Sequence, residues 1–184
     1  MQDILPWFLA LRRNPRQMGA ILPATRVLAG AMARTAFKGR PEAPIVEIGA
    51  GSGNVTEALW RMSDGRVRIR AIEPDKKLAE QLRRRLPEID VINGVFEENL
   101  KETFSGLERP VLVSSVPLFS LEDDNRSAYF SSLLSAVKHG LVSRYVQYTY
   151  WPVLPWPDAK TLCGTGPRLI ARNLPPAWIW SRDH

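Results

Sequence analysis

Apolar and polar positions along this chain follow two periods, one typical of strands and one typical of helices. Short apolar runs, which indicate buried strands, occur at 44–49, 67–73, 90–93, 111–116 and 145–150. Stretches with helical spacing lie before and between them, at about 25–37, 55–62, 76–86 and 127–138. This alternation predicts a parallel sheet that is covered by helices on both faces.

The two ends of the chain depart from this alternation. Residues 4–13 have the spacing of a further helix, which Asn14 and Pro15 end. After the fifth strand the chain is rich in Pro and Trp, and 169–173 and 177–181 are predicted to pair as a closing hairpin. We therefore expect an α/β, Rossmann-like fold with a mostly parallel seven-stranded sheet. Residues 1–40 would form N-terminal basic amphipathic helices, and residues 41–184 would form the sheet domain.

Composition is that of a folded globular chain, with 184 residues, 45% hydrophobic and 24% charged. The single cysteine, Cys163, excludes an internal disulfide and is typical of a reducing compartment. No apolar run is long enough to span a bilayer, and the first residues lack a signal-peptide pattern. These features predict a cytoplasmic location.

The formal net charge of +6 is concentrated at the start of the chain, because residues 1–40 contain seven basic residues and one acidic residue. Such a basic arm predicts a polyanionic partner, either a membrane or a nucleic acid. Apolar residues at helical spacing precede the first arginines, and they include Trp7 and Phe8. This make-up favours a helix lying in a membrane interface. The alternative is that the same side chains pack on the core.

Residues 45–56 carry the most informative motif, an apolar strand followed by a glycine turn and a helix start. Gly49, Gly51 and Gly53 allow a sharp turn and a ligand lying against bare backbone, and the helix start directs N–H groups at an anion. Glu47 offers a carboxylate to a cation, and Glu73, at the end of the second strand, is placed to bind ribose hydroxyls. A carboxylate, a cation and a ribose are together features of S-adenosyl-L-methionine (SAM).

The same edge of the sheet supplies the remaining candidate cofactor residues. The predicted SAM-binding set is Glu47, Gly49, Gly51, Gly53, Thr56, Glu73, Pro74, Gly94, Val95, Phe96, Ser114 and Ile21. An NAD-type site is the alternative, but its fingerprint G-x-G-x-x-G requires the third glycine one residue later. The chain shows no pattern that predicts a metal site.

Four segments of the chain resemble the bacterial phospholipid N-methyltransferases, which are class I SAM-dependent methyltransferases. They are Asn-Pro-Arg-Gln-Met-Gly-Ala-Ile-Leu-Pro-Ala-Thr at 14–25, the glycine loop with Glu73, Ser-Ser-Val-Pro-Leu at 114–118, and 147–150 together with 172–177. The resemblance implies methylation of phosphatidylethanolamine toward phosphatidylcholine at a membrane surface. S-adenosylhomocysteine would be the product of the cofactor.

This resemblance also implies the partners. The protein would be peripheral on the inner face of the cell membrane, with an anionic phospholipid surface and a lipid substrate as partners, no nucleic acid, and a monomeric state. The loop 19–23, which includes Ile21, would cover SAM. The chain departs from the family at Val95, where an Asp usually binds adenine, and at Trp151, where Gly is expected. Backbone groups near Phe96, or Glu97, would bind adenine instead.

Candidate catalytic residues lie at the ends of the fourth and fifth strands, and they are Tyr148, Tyr150 and Ser115. Tyr148 and Tyr150 point to the same side of a strand, and aromatic faces stabilise a methylated ammonium. The predicted substrate-binding set is Tyr148, Tyr150, Trp151, Arg172 and Asn173, with Arg172 a candidate for a phosphate.

Three other functions are compatible with these residues. One is an ornithine-lipid N-methyltransferase, and another is a SAM-binding scaffold without activity. The third is an RNA adenine N-methyltransferase. Those enzymes usually have Asn-Leu-Pro-Tyr where residues 115–118 are Ser-Val-Pro-Leu, and they need an aromatic there to stack a flipped base. Leu118 cannot stack a base, whereas Phe119 can.

Overall fold

The structure is a computed structural model that describes residues 24–154, 159–164 and 166–184. The predicted helix at 4–13, the loop 19–23 and the cofactor candidate Ile21 lie outside the described residues. The helices and strands are numbered here from the first described residue. They are α1 (Arg26–Phe37), β1 (Ile45–Ile48), α2 (Asn54–Ser63), β2 (Ile69–Glu73), α3 (Lys76–Arg85), β3 (Asp90–Asn93), α4 (Leu100–Phe104), β4 (Val111–Ser114), α5 (Asp123–Lys138), β5 (Arg144–Thr149), α6 (Ala159–Cys163), β6 (Arg168–Ile170) and β7 (Ala177–Asp183).

All seven strands belong to one sheet, with the order β3-β2-β1-β4-β5-β7-β6. The strands β1 to β5 pair in parallel, and β7 pairs antiparallel with both β5 and β6. The chain order reverses between β1 and β4, which is where ligands bind in open α/β sheets. The predicted mostly parallel seven-stranded sheet is therefore confirmed.

Burial explains why the strands were detectable in the sequence. Every residue of β1, β2 and β4 is buried, as expected for central parallel strands with helices on both faces. One apolar core lies between the sheet and the side that carries α1, α2 and α3, and includes Leu28, Met32 and Leu59. A second core lies on the other face and includes Tyr129, Leu133 and Tyr145.

Helix capping agrees with the sequence at two starts. The Thr25 side chain accepts a hydrogen bond from the Leu28 N–H at the start of α1, and Asp75 accepts from Lys77 and Leu78 at the start of α3.

Two short helices were not predicted, α4 and α6. Each has five residues, which is too short for an apolar period to be recognised. Within the described ranges no helix is both long and apolar enough to cross a membrane.

Candidate functional site

A cavity of about 560 Å³ opens at the carboxyl ends of the central strands. This volume lies within the range typical of small-molecule sites. Its wall is formed by the glycine loop, the ends of β2, β3 and β4, and one residue of β5. The lining residues are Ala24, Ile48, Gly49, Ala50, Gly51, Ser52, Asn54, Val55, Ile72, Glu73, Pro74, Leu78, Gly94, Val95, Phe96, Glu97, Ser115, Val116, Pro117, Leu121, Tyr129 and Tyr148.

The glycine loop between β1 and α2 adopts a conformation that requires glycine. Gly49, Gly51 and Gly53 have φ values of +72°, +54° and +77°. A Cβ on Gly49 would lie 3.0 Å from the Val116 side chain, so this residue also permits the loop to approach the end of β4. The loop therefore exposes bare backbone to the cavity at Gly49 and Gly51, whereas Gly53 lies behind it at the start of α2.

Glu73 joins the end of β2 to the glycine loop. Its Oε2 accepts a hydrogen bond of 2.6 Å from the Gly51 N–H, and its Oε1 accepts one of 2.9 Å from the Asp75 N–H. The side chain is buried but lines the cavity. Each carboxylate oxygen has a second lone pair, so Glu73 can also accept from two neighbouring ligand hydroxyls.

Glu47 lies behind the glycine loop rather than in the cavity wall. Its carboxyl is fully buried, and it accepts hydrogen bonds from Thr56 Oγ1 at 2.6 Å and Ser115 Oγ at 3.1 Å. Burial raises the pKa of Glu47 from 4.5 to about 7, although the two hydroxyl donors lower it in part. Neither Glu47 nor Thr56 lines the cavity, so a contact of either with a ligand stays a prediction.

The far end of the cavity is formed by residues that follow β3. Val95 and Phe96 both line it, and Phe96 is held in the core by edge-on contacts with Tyr129 and Phe104. The carbonyl oxygens of Val95 and Phe96 already accept from the side chain and the N–H of Asn99, at 2.7 and 3.1 Å. Glu97 also lines the cavity, so its carboxylate offers a ligand amino group at this end an acceptor in addition to the second lone pairs of these carbonyls.

A buried chain of hydroxyl and amide groups supports the end of β4. Tyr129 donates to Ser114 Oγ at 2.7 Å and lies 3.4 Å from the Tyr145 hydroxyl, which donates to Gln147 at 2.9 Å. The Gln147 amide in turn donates to the Val116 carbonyl at 3.2 Å. Ser114 is fully buried and takes part in this chain rather than in the cavity wall. Ser115, the next residue, reaches the cavity.

Tyr148 is the residue of β5 that lines the cavity. Its ring packs edge-on against Tyr150, with centroids 5.6 Å apart, which agrees with the prediction that the two side chains share a face. Burial raises the pKa of both hydroxyls, so neither is suited to act as a base near neutral pH. Tyr150 and Trp151 are half-buried and lie outside the cavity lining.

The predicted substrate-binding residues Arg172 and Asn173 lie in the β6–β7 turn and outside the cavity lining, so their contact with a substrate stays a prediction. Asn173 is buried, and its side chain binds Thr25 Oγ1 and the Pro175 carbonyl. It therefore joins the turn to the start of α1, which is a structural role. Arg172, the preceding residue, is exposed and does not line the cavity.

The structure thus brings nine residues of the predicted sets to one cavity and places their other described members outside its wall. The predicted residues in the wall are Gly49, Gly51, Glu73, Pro74, Gly94, Val95, Phe96, Ser115 and Tyr148. Sequence reasoning did not identify Asn54 or Tyr129 as lining residues. Asn54 follows the glycine loop directly, which is a usable signal. No sequence signal indicated Tyr129, because its approach to Ser114 depends on how α5 packs on the sheet.

Comparison with known proteins identifies one curated relative and several similar structures. No protein-family model matches the chain. A segment of 51 residues is 49% identical to the ribosomal RNA small subunit methyltransferase A of Salinibacter ruber. That segment spans 28% of this chain and 16% of the relative.

Three solved structures illustrate the likeness in fold. TrmN from Thermus thermophilus has a TM-score of 0.64 and 18% identity, with 94% of this chain and 52% of that chain covered. The 23S rRNA methyltransferase ErmE has a TM-score of 0.56 and 19% identity over 87% and 68%. Magnesium protoporphyrin IX methyltransferase from Synechocystis, solved with bound SAM, has a TM-score of 0.58 and 10% identity over 94% of both chains.

These findings overturn the resemblance to phospholipid N-methyltransferases, because the sequence match falls on a ribosomal RNA methyltransferase. The expected lipid substrate, the membrane partner and the exclusion of nucleic acid were therefore wrong. Nothing supports the expected peripheral location on a membrane. One physical reason is that the glycine loop is common to the whole fold and carries no information on substrate. Another is that Asn173, part of the most specific segment, is buried and holds the fold together. What the chain has is the α/β fold of class I SAM-dependent methyltransferases.

Proposed function

We propose that this chain is a SAM-dependent methyltransferase that acts on RNA, with the exocyclic amino group of adenine as the acceptor. The observation that carries this proposal is the segment with 49% identity to a ribosomal RNA methyltransferase. The fold supports the reaction class, since structures of the same fold include methyltransferases with SAM bound.

The cavity has the groups that SAM requires. The N–H groups of Gly49, Ala50, Gly51 and Gly53 already donate within the protein, so a ligand carboxylate would bind at the N–H groups of the start of α2. Glu73 is placed for two ribose hydroxyls. In the in-line transfer the nitrogen lone pair forms a bond to the methyl carbon as the bond from that carbon to the SAM sulfur breaks, which leaves S-adenosylhomocysteine. The methylated nitrogen then loses a proton to water, so catalysis depends mainly on positioning. Glu97 offers an acceptor to the amino group of the cofactor's adenine.

The acceptor side of the cavity fits a neutral amine. Ser115, Pro117 and Tyr148 form this wall, and no histidine, lysine or cysteine is present among the described lining residues. An alkyl ammonium would need a base to remove a proton before methyl transfer, whereas the amino group of adenine is neutral at pH 7. The Ser115 hydroxyl can accept a hydrogen bond from such an amino group.

An aromatic surface for the target base is also needed, since enzymes that act on a base take it out of the stack. Leu118 is 2% exposed and cannot provide this surface. Phe119 is half-buried and lies outside the cavity lining. Tyr148 lines the cavity and is therefore our candidate for contact with the flipped adenine.

The test is transfer of labelled methyl groups from SAM to unmodified RNA. Small-subunit rRNA, large-subunit rRNA and tRNA transcripts would each be incubated with the protein, digested to nucleosides and separated by mass. We expect label in adenosine methylated at N6. The matched control is Glu73→Ala, which should lose SAM binding and transfer together.

Two outcomes would contradict this proposal in different ways. Measurable SAM binding without label in any RNA would overturn RNA as the substrate. Label in a nucleoside other than adenosine would support RNA as the substrate but would overturn adenine as the methyl acceptor.

A further inference from the structure

Four exposed arginines lie on α1, on the neighbouring edge strand β6 and in the β6–β7 turn. They are Arg26, Arg34, Arg168 and Arg172, and together they are called the α1–β6 arginine face. Arg26 and Arg34 are eight residues apart on one helix, so about 12 Å separates them along its axis. Strand β6 is the last in the sheet order, so no further strand of the described chain covers this edge.

Hydrogen bonds hold the two elements of this face together. Arg168 Nη2 donates to Thr35 Oγ1 at 2.9 Å and to the Ala31 carbonyl at 3.3 Å. At the start of α1, Thr25 Oγ1 donates a hydrogen bond to Asn173 Oδ1 in the β6–β7 turn. Because Thr25 precedes Arg26 and Asn173 follows Arg172, this bond brings the two arginines to the same end of the face.

That end of the face adjoins the cavity. Ala24, two residues before Arg26, lines the cavity wall, and its carbonyl accepts from Asn54 Nδ2 at 2.8 Å. Asn54 also lines the cavity. A chain lying along the arginine face could therefore continue directly into the mouth of the cavity.

The face carries charge of one sign. No acidic residue occurs in 24–41 or in 166–181. Asp183 lies at the other end of β7, where it pairs with Arg40 and Arg144.

The basic run on α3 offers a weaker alternative. Arg83 donates to the Val91 carbonyl and Arg85 to the Ser52 carbonyl, at 2.8 and 2.7 Å. Glu80, Glu88 and Asp90 are close to this run in sequence, so its surface is of mixed charge.

We propose that the α1–β6 arginine face binds the phosphate backbone of the RNA next to the target base. This inference rests on the proposed function. Guanidinium groups bind phosphate oxygens through paired N–H donors, and Arg168 retains donors beyond its two contacts with α1. A row of such contacts would orient the strand, while the cavity selects the base.

The test compares two triple variants of the full chain. Arg26→Ala, Arg34→Ala and Arg172→Ala together remove three charges from the face. Arg84→Ala, Lys101→Ala and Lys138→Ala together remove three exposed charges from elsewhere. The probe is a fluorescent RNA hairpin with unpaired adenosines, and its Kd is measured over a range of salt concentrations. SAM binding and thermal unfolding are measured in all three proteins as checks on folding.

We expect the face variant to bind the hairpin at least tenfold more weakly than the control variant, with SAM binding unchanged. The slope of log K against log salt concentration should be smaller in magnitude by roughly 2 in the face variant. Each lost phosphate contact to a single strand removes about 0.7 from this slope. Equal losses in the two variants would overturn the inference and leave RNA as the substrate.

A wild-type protein that binds SAM but not the hairpin would overturn both proposals. Loss of binding to anionic vesicles in the face variant, with hairpin binding unchanged, would overturn this inference in favour of a lipid surface.

Discussion

Replacing Glu47 by Gln should flatten the dependence of protein stability on pH. The Glu47 carboxyl is fully buried with two hydroxyl donors, and its pKa is raised from 4.5 to about 7. Below pH 4.5 it is protonated in both the folded and the unfolded chain, and its contribution to stability is complete. Between pH 4.5 and 7 the unfolded chain loses this proton while the folded chain keeps it, so the free energy of unfolding falls as pH rises. Above pH 7 both states are ionised and the fall ends.

The size of this effect follows from the two pKa values. They differ by about 2.5 units, and each unit corresponds to about 1.4 kcal/mol, so the full effect is roughly 3 kcal/mol. Most of it, about 2.5 kcal/mol, falls between pH 5 and pH 8. Gln has nearly the same shape and does not titrate, so E47Q should lack this part of the pH dependence.

The assay is urea unfolding, followed by circular dichroism, of wild type and E47Q at pH 5 and pH 8. The free energy of unfolding of E47Q, relative to wild type, should rise by about 2.5 kcal/mol from pH 5 to pH 8. Glu88→Gln, at an exposed position, is the matched control. Parallel pH profiles for wild type and E47Q would refute the reasoning, since the buried carboxyl would then titrate as it does in the unfolded chain.

Three further changes test the cavity and its support. Glu73→Gln keeps the shape of the side chain but replaces an ionised acceptor by a neutral one, so SAM affinity, measured by calorimetry, should fall about tenfold or more. Unchanged affinity would show that Glu73 does not bind the ribose. Gly53→Ala places a Cβ 2.5 Å from Leu82 Cδ1 at a backbone φ of +77°. It should therefore lower the free energy of unfolding by about 1–3 kcal/mol. An unaltered melting temperature would contradict the loop geometry. Tyr129→Phe removes the donor to Ser114 and should cost about 1–3 kcal/mol in urea unfolding, whereas a neutral result would mean that this buried bond contributes little.

Local patterns predicted the elements well, because each depends on residues close in sequence. The strand 90–93 was predicted with its observed bounds, and the Thr25 and Asp75 caps begin the helices that they were expected to begin. The glycine loop was recognised for a similar reason, since positive φ values at three alternate positions demand glycine in the sequence itself.

The substrate was not determined in this way. The residues that resembled a lipid enzyme include Asn173, which is buried and accepts a hydrogen bond from Thr25, a residue 148 positions away in the chain. A short motif cannot distinguish a residue kept for binding from one kept for such a contact, because the difference depends on burial. The sequence match to a ribosomal RNA methyltransferase corrected this point.

The sequence by itself therefore determined the order and type of the strands and of the longer described helices, the glycine turn and the acidic residue at the end of β2. These follow from hydrophobic periods and from conformations that few residues adopt. Only the tertiary structure decided that Glu47 lies behind the loop, that Tyr129 supports β4 through Ser114, and that Arg168 of β6 contacts α1 at Thr35. Each of these depends on packing between elements distant in sequence, and packing, not local pattern, sets which side chains meet and which are removed from water.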